Sequence, residues 1–166
     1  MSICFLNDKY LDLQEAKISP LDRGFLFGDA IYEVIIAVNK KPFELGAHLT
    51  RLKKNISSLK YSLSDQFDLE EIILEVISRN KFLNQVIYVQ ISRGTDIVRD
   101  HIPSNDLLPT IFVSSHELKT DFSQSSGEKA ILLEDFRWRK SQIKATSLLA
   151  NVIYRSEAKH KEVFET

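Results

Sequence analysis

Ile18-Ser-Pro-Leu-Asp-Arg-Gly-Phe-Leu-Phe-Gly-Asp-Ala-Ile-Tyr-Glu-Val34 packs two glycines, two aspartates, an arginine and three aromatics into seventeen residues. Pro20 fixes the entry to the segment, and Gly24 and Gly28 allow backbone angles that residues with a Cβ resist. Beyond Asp29 the pattern changes. Tyr32, Val34, Ile36 and Val38 alternate with Ile31, Glu33, Ile35 and Ala37, the period of two that marks a strand. The segment therefore reads as a shaped turn that delivers Tyr32 and Glu33 to opposite faces of one strand.

Moving outward, residues 3–6 and 10–13 read as a hairpin around Asn7-Asp8-Lys9. The strand 31–38 turns at Asn39-Lys-Lys41 into a short strand at 42–44. Leu45, His48, Leu49, Leu52, Ile56 and Leu59 recur at helical spacing to about Lys60. A second stripe, Leu69, Ile72, Ile73, Val76 and Ile77, predicts another helix with Asp68 as N-cap and Glu71 in the capping-box position. Residues 86–92 and 110–115 are rich in β-branched side chains and read as strands, separated by a long polar loop over 94–109. Residues 129–134 read as a strand and 145–160 as a helix with Ala145, Leu148, Leu149, Val152 and Ile153 on one face. The expected architecture is α+β. A small domain with a mostly antiparallel sheet and two helices covers 1–118, a Ser/Asp-rich linker covers 119–127, and 128–166 begin a second domain.

Composition narrows the function classes. A chain of 166 residues with 43% hydrophobic and 27% charged residues suits a soluble globular protein, and the net charge of −1 offers no basic field for nucleic acid or an acidic membrane. No apolar run approaches the ~20 residues of a membrane span, and the N-terminus lacks the pattern of a secretory signal. Cys4 is the single cysteine, which rules out an intrachain disulfide and a cysteine-based metal site. No metal is expected, and a reducing cytoplasm is the expected home.

Four places could carry chemistry. Lys144 precedes the apolar stripe of the last helix, where a depressed pKa can make an amine a nucleophile; spacing by itself favours a solvated lysine in the first turn. Arg51 lies three residues after His48 and off the leucine stripe, a surface arginine by position. Arg99 and His101, one residue apart in the polar loop, can together grip a carboxylate, although a solvated loop is the default reading. Tyr32 projects from the strand that follows the opening turn.

The run Asp22-Arg-Gly-Phe25, Phe27-Gly-Asp29 and Tyr32-Glu-Val34 closely resembles the signature of class IV aminotransferases, the pyridoxal 5'-phosphate enzymes of fold type IV. Ile143-Lys-Ala-Thr-Ser-Leu-Leu-Ala-Asn-Val152, with Arg137-Trp138 before it, looks like the family's cofactor-lysine segment. The resemblance implies that Lys144 is the Schiff-base lysine and the proton shuttle. His48-Leu-Thr-Arg-Leu52 is similar to the family's helix motif, which implies that Arg51 binds the cofactor phosphate; Glu165 matches a glutamate on the active-site side. Arg99-Asp-His101, after Ser92-Arg-Gly94, resembles the carboxylate trap of D-amino-acid aminotransferases. In that subfamily the trap comes from the neighbouring subunit and the tyrosine matching Tyr32 joins it, which implies a homodimer.

The implied reaction is transamination of an amino acid, such as D-alanine, to its 2-oxo acid. A branched-chain L-amino-acid aminotransferase or an aminodeoxychorismate lyase uses the same scaffold, and a non-catalytic remnant that dimerises or binds a partner is the alternative of another class. Three departures stand out. Arg99 and His101 fall one residue later after Gly94 than the family pattern, Ala30 replaces a glycine, and Glu162 stands where the family favours a glycine C-cap. The resemblance also implies a longer protein. It spans the N-terminal half or more of a typical member, and the acidic partner of the pyridine nitrogen belongs to the part after Thr166.

Overall fold

The computed structural model describes residues 2–61, 63, 67–119, 129–134 and 141–164. Two compact units divide the chain: residues 1–119 with Ile143–Thr146, and 120–142 with 147–166.

The first unit is built on one antiparallel sheet. Its strands are β1 (Ile3–Leu6), β2 (Lys9–Asp12), β3 (Ala30–Val38), β4 (Lys41–Pro42), β5 (Gln85–Ser92) and β6 (Thr110–Glu117), in the order β2-β1-β6-β5-β3-β4. Every pairing is antiparallel. Asn39 and Lys40 both take positive φ, 51° and 60°, the twist that a two-residue hairpin loop needs between β3 and β4. Helices α1 (Arg23–Phe27), α2 (Leu45–Leu59) and α3 (Leu69–Arg79) complete the unit. Asp68 caps α3 by accepting from the backbone N–H groups of Glu70 and Glu71.

Alternation sorts the strands into two faces. Ile31, Ile35 and Ala37 of β3, Ile87, Val89 and Ile91 of β5, and Ile111 and Val113 of β6 are all at most 1% exposed. They form one core with Leu49, Leu52 and Ile56 of α2 and Leu69, Ile72, Ile73, Val76 and Ile77 of α3. Burying side chains of this size contributes roughly 1.5–3 kcal/mol each, so both helices are held to this face. The opposite face of the same strands is open and carries Tyr32, Tyr88 and Phe112 in a row, with ring centroids 5.8 and 6.4 Å apart. The register β3 to β5, Tyr32 against Gln90 and Glu33 against Val89, fixes which residue meets which face; a one-residue slip would exchange Tyr32 and Glu33.

The architecture matches the α+β expectation, with several local corrections. Asp22–Phe27 is not a simple turn but a capped helix, α1, in which Asp22 accepts from the Gly24 N–H and Gly28 closes the end at φ 65°. The strand expected at 42–44 is Lys41–Pro42, and Glu44 instead turns into α2 at φ 50°. Residues 129–134 do not form a strand run; only Ala130 makes a bridge, and a strand exists only where a neighbour exchanges hydrogen bonds with it along its length. The last helix starts at Leu149, not Ala145. The backbone groups ahead of it bond to β3, so they cannot also serve a helical turn: the Tyr32 N–H donates to the Lys144 carbonyl and the Thr146 N–H to the Ala30 carbonyl, both at 3.0 Å.

In the second unit, α4 (Leu149–His160) leaves Leu149, Val152 and Ile153 48–73% exposed, and Ala158 is its buried residue. The expected apolar face is present in sequence but uncovered among the described residues. Arg137 and Trp138 lie outside those residues.

Candidate active site

The site begins with the packing of the opening turn. Asp22 is 2% exposed and accepts from the Ser92 hydroxyl at 2.8 Å, the Thr110 hydroxyl at 2.6 Å and the Gly24 N–H at 2.8 Å. These bonds lock α1 against the ends of β5 and β6 and set where β3 starts. A Cβ on Gly24 would approach Ser92 Cβ and Asp22 Oδ1 to 2.9 Å, so this glycine serves close packing rather than an unusual angle.

Residues Ile143–Thr146 run alongside the start of β3, with Ala145 bridged to Ile31. This short strap places the Lys144 amine over the open face, 3.8 Å from the centroid of the Tyr32 ring. A cation above an aromatic face is attracted by the ring quadrupole, and the strap's two hydrogen bonds hold the backbone from which the amine reaches. Lys144 and Tyr32 are thus brought together on one face of the sheet.

Glu33, next along the strand, points the other way and is 1% exposed. Arg51 of α2 grips it with both edges of a fork: Nε donates to Oε1 at 2.6 Å and Nη2 to Oε2 at 2.5 Å. His48 Nδ1 lies 2.8 Å from the same Oε2. Burial pushes the Glu33 pKa up, but the hydrogen bonds from Arg51 and His48 outweigh it and leave the carboxyl below its ordinary value. The Glu33 hydrogen bond raises Arg51 in turn. Arg51 remains 49% exposed, and among the described residues its Nη1 has no hydrogen-bond partner. One edge is anchored and one is free, a geometry suited to an oxyanion such as phosphate.

Arg99 and His101 sit elsewhere. The guanidinium of Arg99 lies 4.9 Å from the centroid of the Phe27 ring, and the His101 ring 5.4 Å from it. Among the described residues, neither hydrogen-bonds nor stacks with Lys144 or Tyr32 of the same chain. Their loop is tied from beneath: Arg23, 3% exposed, donates to the carbonyls of Asp100 and His101 at 2.7 and 2.9 Å. Arg23 and Arg93 both donate to Asp29, at 3.1 and 2.7 Å, and Tyr61 donates to it at 3.0 Å. Burial works against the Asp29 charge, but Arg93, Arg23 and Tyr61 outweigh it and lower its pKa. Burial and then Asp29 push the Tyr61 phenol far above its ordinary value.

Glu165 lies outside the described residues. Two residues of the site carried no assigned role in the sequence: Glu33, which orients Arg51, and Arg23, which holds the loop. Glu33 had a signal, since a carboxylate at a strand position with apolar neighbours on either side is costly unless paired, and α2 carries the matching cation. Arg23's hold on the loop had none, because the loop groups it binds are backbone carbonyls almost eighty residues away.

Known proteins resemble this chain in sequence and fold. A D-alanine aminotransferase of Staphylococcus haemolyticus is 33% identical over 161 residues, covering 95% of this chain and 57% of that protein. Among solved structures, the branched-chain amino acid aminotransferase of Escherichia coli superposes with a TM-score of 0.83 at 18% identity, covering 98% of this chain and 57% of that one. The branched-chain aminotransferase of the archaeon Thermoproteus uzoniensis, solved with norvaline, gives 0.78 at 20% identity over the same shares. The chain therefore spans somewhat more than half the length of the proteins it matches, and the structural likenesses establish the fold. The family model for amino-transferase class IV matches residues 30–166, and the chain belongs to that family.

Proposed function

We propose that this chain carries the lysine and phosphate-binding portion of a homodimeric, pyridoxal 5'-phosphate-dependent transaminase that acts on D-amino acids. The observation that carries the reading is the Lys144 amine held 3.8 Å over the Tyr32 ring by a strap hydrogen-bonded to β3. The family works with pyridoxal 5'-phosphate, and the donor set fits that group. Lys144 offers a primary amine on the open face, and Arg51 offers a guanidinium whose Nη1 has no hydrogen-bond partner among the described residues. When bound, the cofactor supplies the carbonyl that takes the amino group and the conjugated ring that accepts the electron pair left at Cα.

The chain's own residues divide the remaining work. Lys144 would anchor the cofactor and, once the substrate amine has displaced it, would take the proton from the substrate Cα as general base and deliver it as general acid to the cofactor carbon that bore the aldehyde. Arg51 holds the phosphate while Glu33 keeps its fork in plane. Arg99 and His101 of the partner subunit bind the substrate carboxylate together with Tyr32. That assignment in trans agrees with the seat of both side chains on Phe27 and with the lack, among the described residues, of a hydrogen bond or ring contact from either to Lys144 of their own chain. In the net reaction an amino group passes from a D-amino acid to a 2-oxo acid. D-Alanine as donor rests on the relatives named D-alanine aminotransferase and on the Arg99/His101 pair.

The test is chemical labelling. The purified protein is mixed with pyridoxal 5'-phosphate, reduced with borohydride, digested and mapped by mass spectrometry. Stoichiometric modification of Lys144 and of no other lysine is expected. Scattered or absent modification overturns the reading. In turnover with D-alanine and 2-oxoglutarate, Arg99→Ala is expected to raise the D-alanine KM about tenfold or more, the loss of a charge-assisted contact of roughly 1.5–3 kcal/mol.

A further inference from the structure

The loop that carries Arg99 and His101 has little apolar packing to hold it. Ile97 is 90% exposed, Val98 66% and Ile102 79%. Its position rests instead on polar ties. Asp96 fastens one end by accepting from the Ile97 N–H, the Ser104 N–H and the Ser104 hydroxyl at 2.8–2.9 Å. Among the described residues, Arg23 is the side chain from outside the loop that hydrogen-bonds to its middle.

The placement of that guanidinium is specific. Its Nη1 and Nη2 address two successive carbonyls, Asp100 and His101, while Nε donates to Asp29 and Asp96 Oδ2 lies 3.7 Å from Nη1. The two carbonyls belong to the peptide units between and just after the trap residues. With those carbonyls turned inward to Arg23, the side chains of Arg99 and His101 settle on the ring of Phe27. Phe27 in turn lies 4.7 Å from the Arg23 guanidinium, so Arg23, Phe27 and the two trap side chains form one stack. Only a planar, multi-donor cation can serve two carbonyls and a carboxylate together; a lysine ammonium keeps the charge but not the fork.

We infer that Arg23 is a positioning residue for recognition of the substrate carboxylate: it fixes the loop register that presents Arg99 and His101. The inference rests on the reading of those two residues as carboxylate ligands.

Two measurements on wild type, Arg23→Lys and Arg99→Ala test it. The first is amide hydrogen exchange by mass spectrometry on protein without cofactor. Arg23→Lys is expected to speed exchange about tenfold or more in a peptide spanning 97–103 and to leave β3 and β5 unchanged. The second is steady-state kinetics with the cofactor present. The D-alanine KM is expected to rise about tenfold in Arg23→Lys while kcat stays within about threefold, the pattern of a lost binding contact rather than lost chemistry. Unchanged loop exchange overturns the inference. So does acceleration spread equally over β3 and β5, since Arg23 would then support the fold at large. A KM that rises in Arg99→Ala but not in Arg23→Lys also overturns it. A KM unmoved in both variants shows that the carboxylate reading itself is wrong, and the inference falls with it.

Discussion

A Cβ built on Gly24 would lie 2.9 Å from Asp22 Oδ1, 2.9 Å from Ser92 Cβ and 3.2 Å from Ala30 Cβ. Each neighbour is fixed: Asp22 by three hydrogen bonds, Ser92 and Ala30 by their pairing across β3 and β5. Gly24→Ala would gain about 1 kcal/mol of helix propensity, but overpacking a rigid site costs roughly 1–3 kcal/mol, so the clash wins. A lower denaturation midpoint is expected, and an unchanged or higher one would show that α1 can shift outward. At this scale the sequence was half legible. Gly28 was read as an angle and is one; Gly24 was also read as an angle, whereas its need is for space, which only the neighbours reveal. Lys144 and Tyr32 were visible as motif residues, yet their approach depends on a strap that spacing cannot show.

Among the elements, α4 ends on a residue under strain. Glu162 sits at φ 53°, its N–H bonded to Lys159 and the next N–H, of Val163, reaching back to Ala158. This is the left-handed closure that glycine adopts without cost, and a residue with a Cβ loses about 1–2 kcal/mol there. Part of that is returned because glycine also loses more freedom on folding. Glu162→Gly is therefore expected to slow amide exchange at the end of α4 by a few fold; faster exchange would refute the cap assignment. The family resemblance did flag this position, because the family favours a glycine where this chain has Glu162. Periodicity failed at the other end of the same helix. Ala145 and Leu148 fit the apolar stripe, but the backbone of 144–146 is taken by β3, and tertiary pairing overrides periodicity. Strands β3, β5 and β6 were legible because alternation survives where one face is buried and the other open.

Taken as a whole, the first unit carries two part-buried charge clusters, and a net charge of −1 gives no hint of them. Asp29 faces Arg23 from α1, Arg93 beyond β5 and Tyr61 after α2; Glu33 faces Arg51 and His48 of α2. Both carboxyls are held below their ordinary pKa against the opposing effect of burial. A group whose folded pKa is depressed adds stability above its unfolded pKa, about pH 4, and that stability is lost as pH falls through the folded value. The protein should therefore hold a constant denaturation midpoint from neutral pH to about pH 5 and lose it steeply below about pH 4. The two clusters also divide the proposed work: Asp29 braces the arginine under the carboxylate loop, and Glu33 braces the arginine offered to phosphate. Protonation should then release both in one pH window, so that faster exchange in 97–103 and weaker retention of pyridoxal 5'-phosphate appear together. Glu33→Gln separates them. With that carboxyl no longer titrating, the acid dependence of cofactor retention should weaken to that of the cofactor's own imine link and phosphate, while the loop keeps its transition. If the cofactor transition survives the substitution unchanged, the Glu33 cluster is not what sets it.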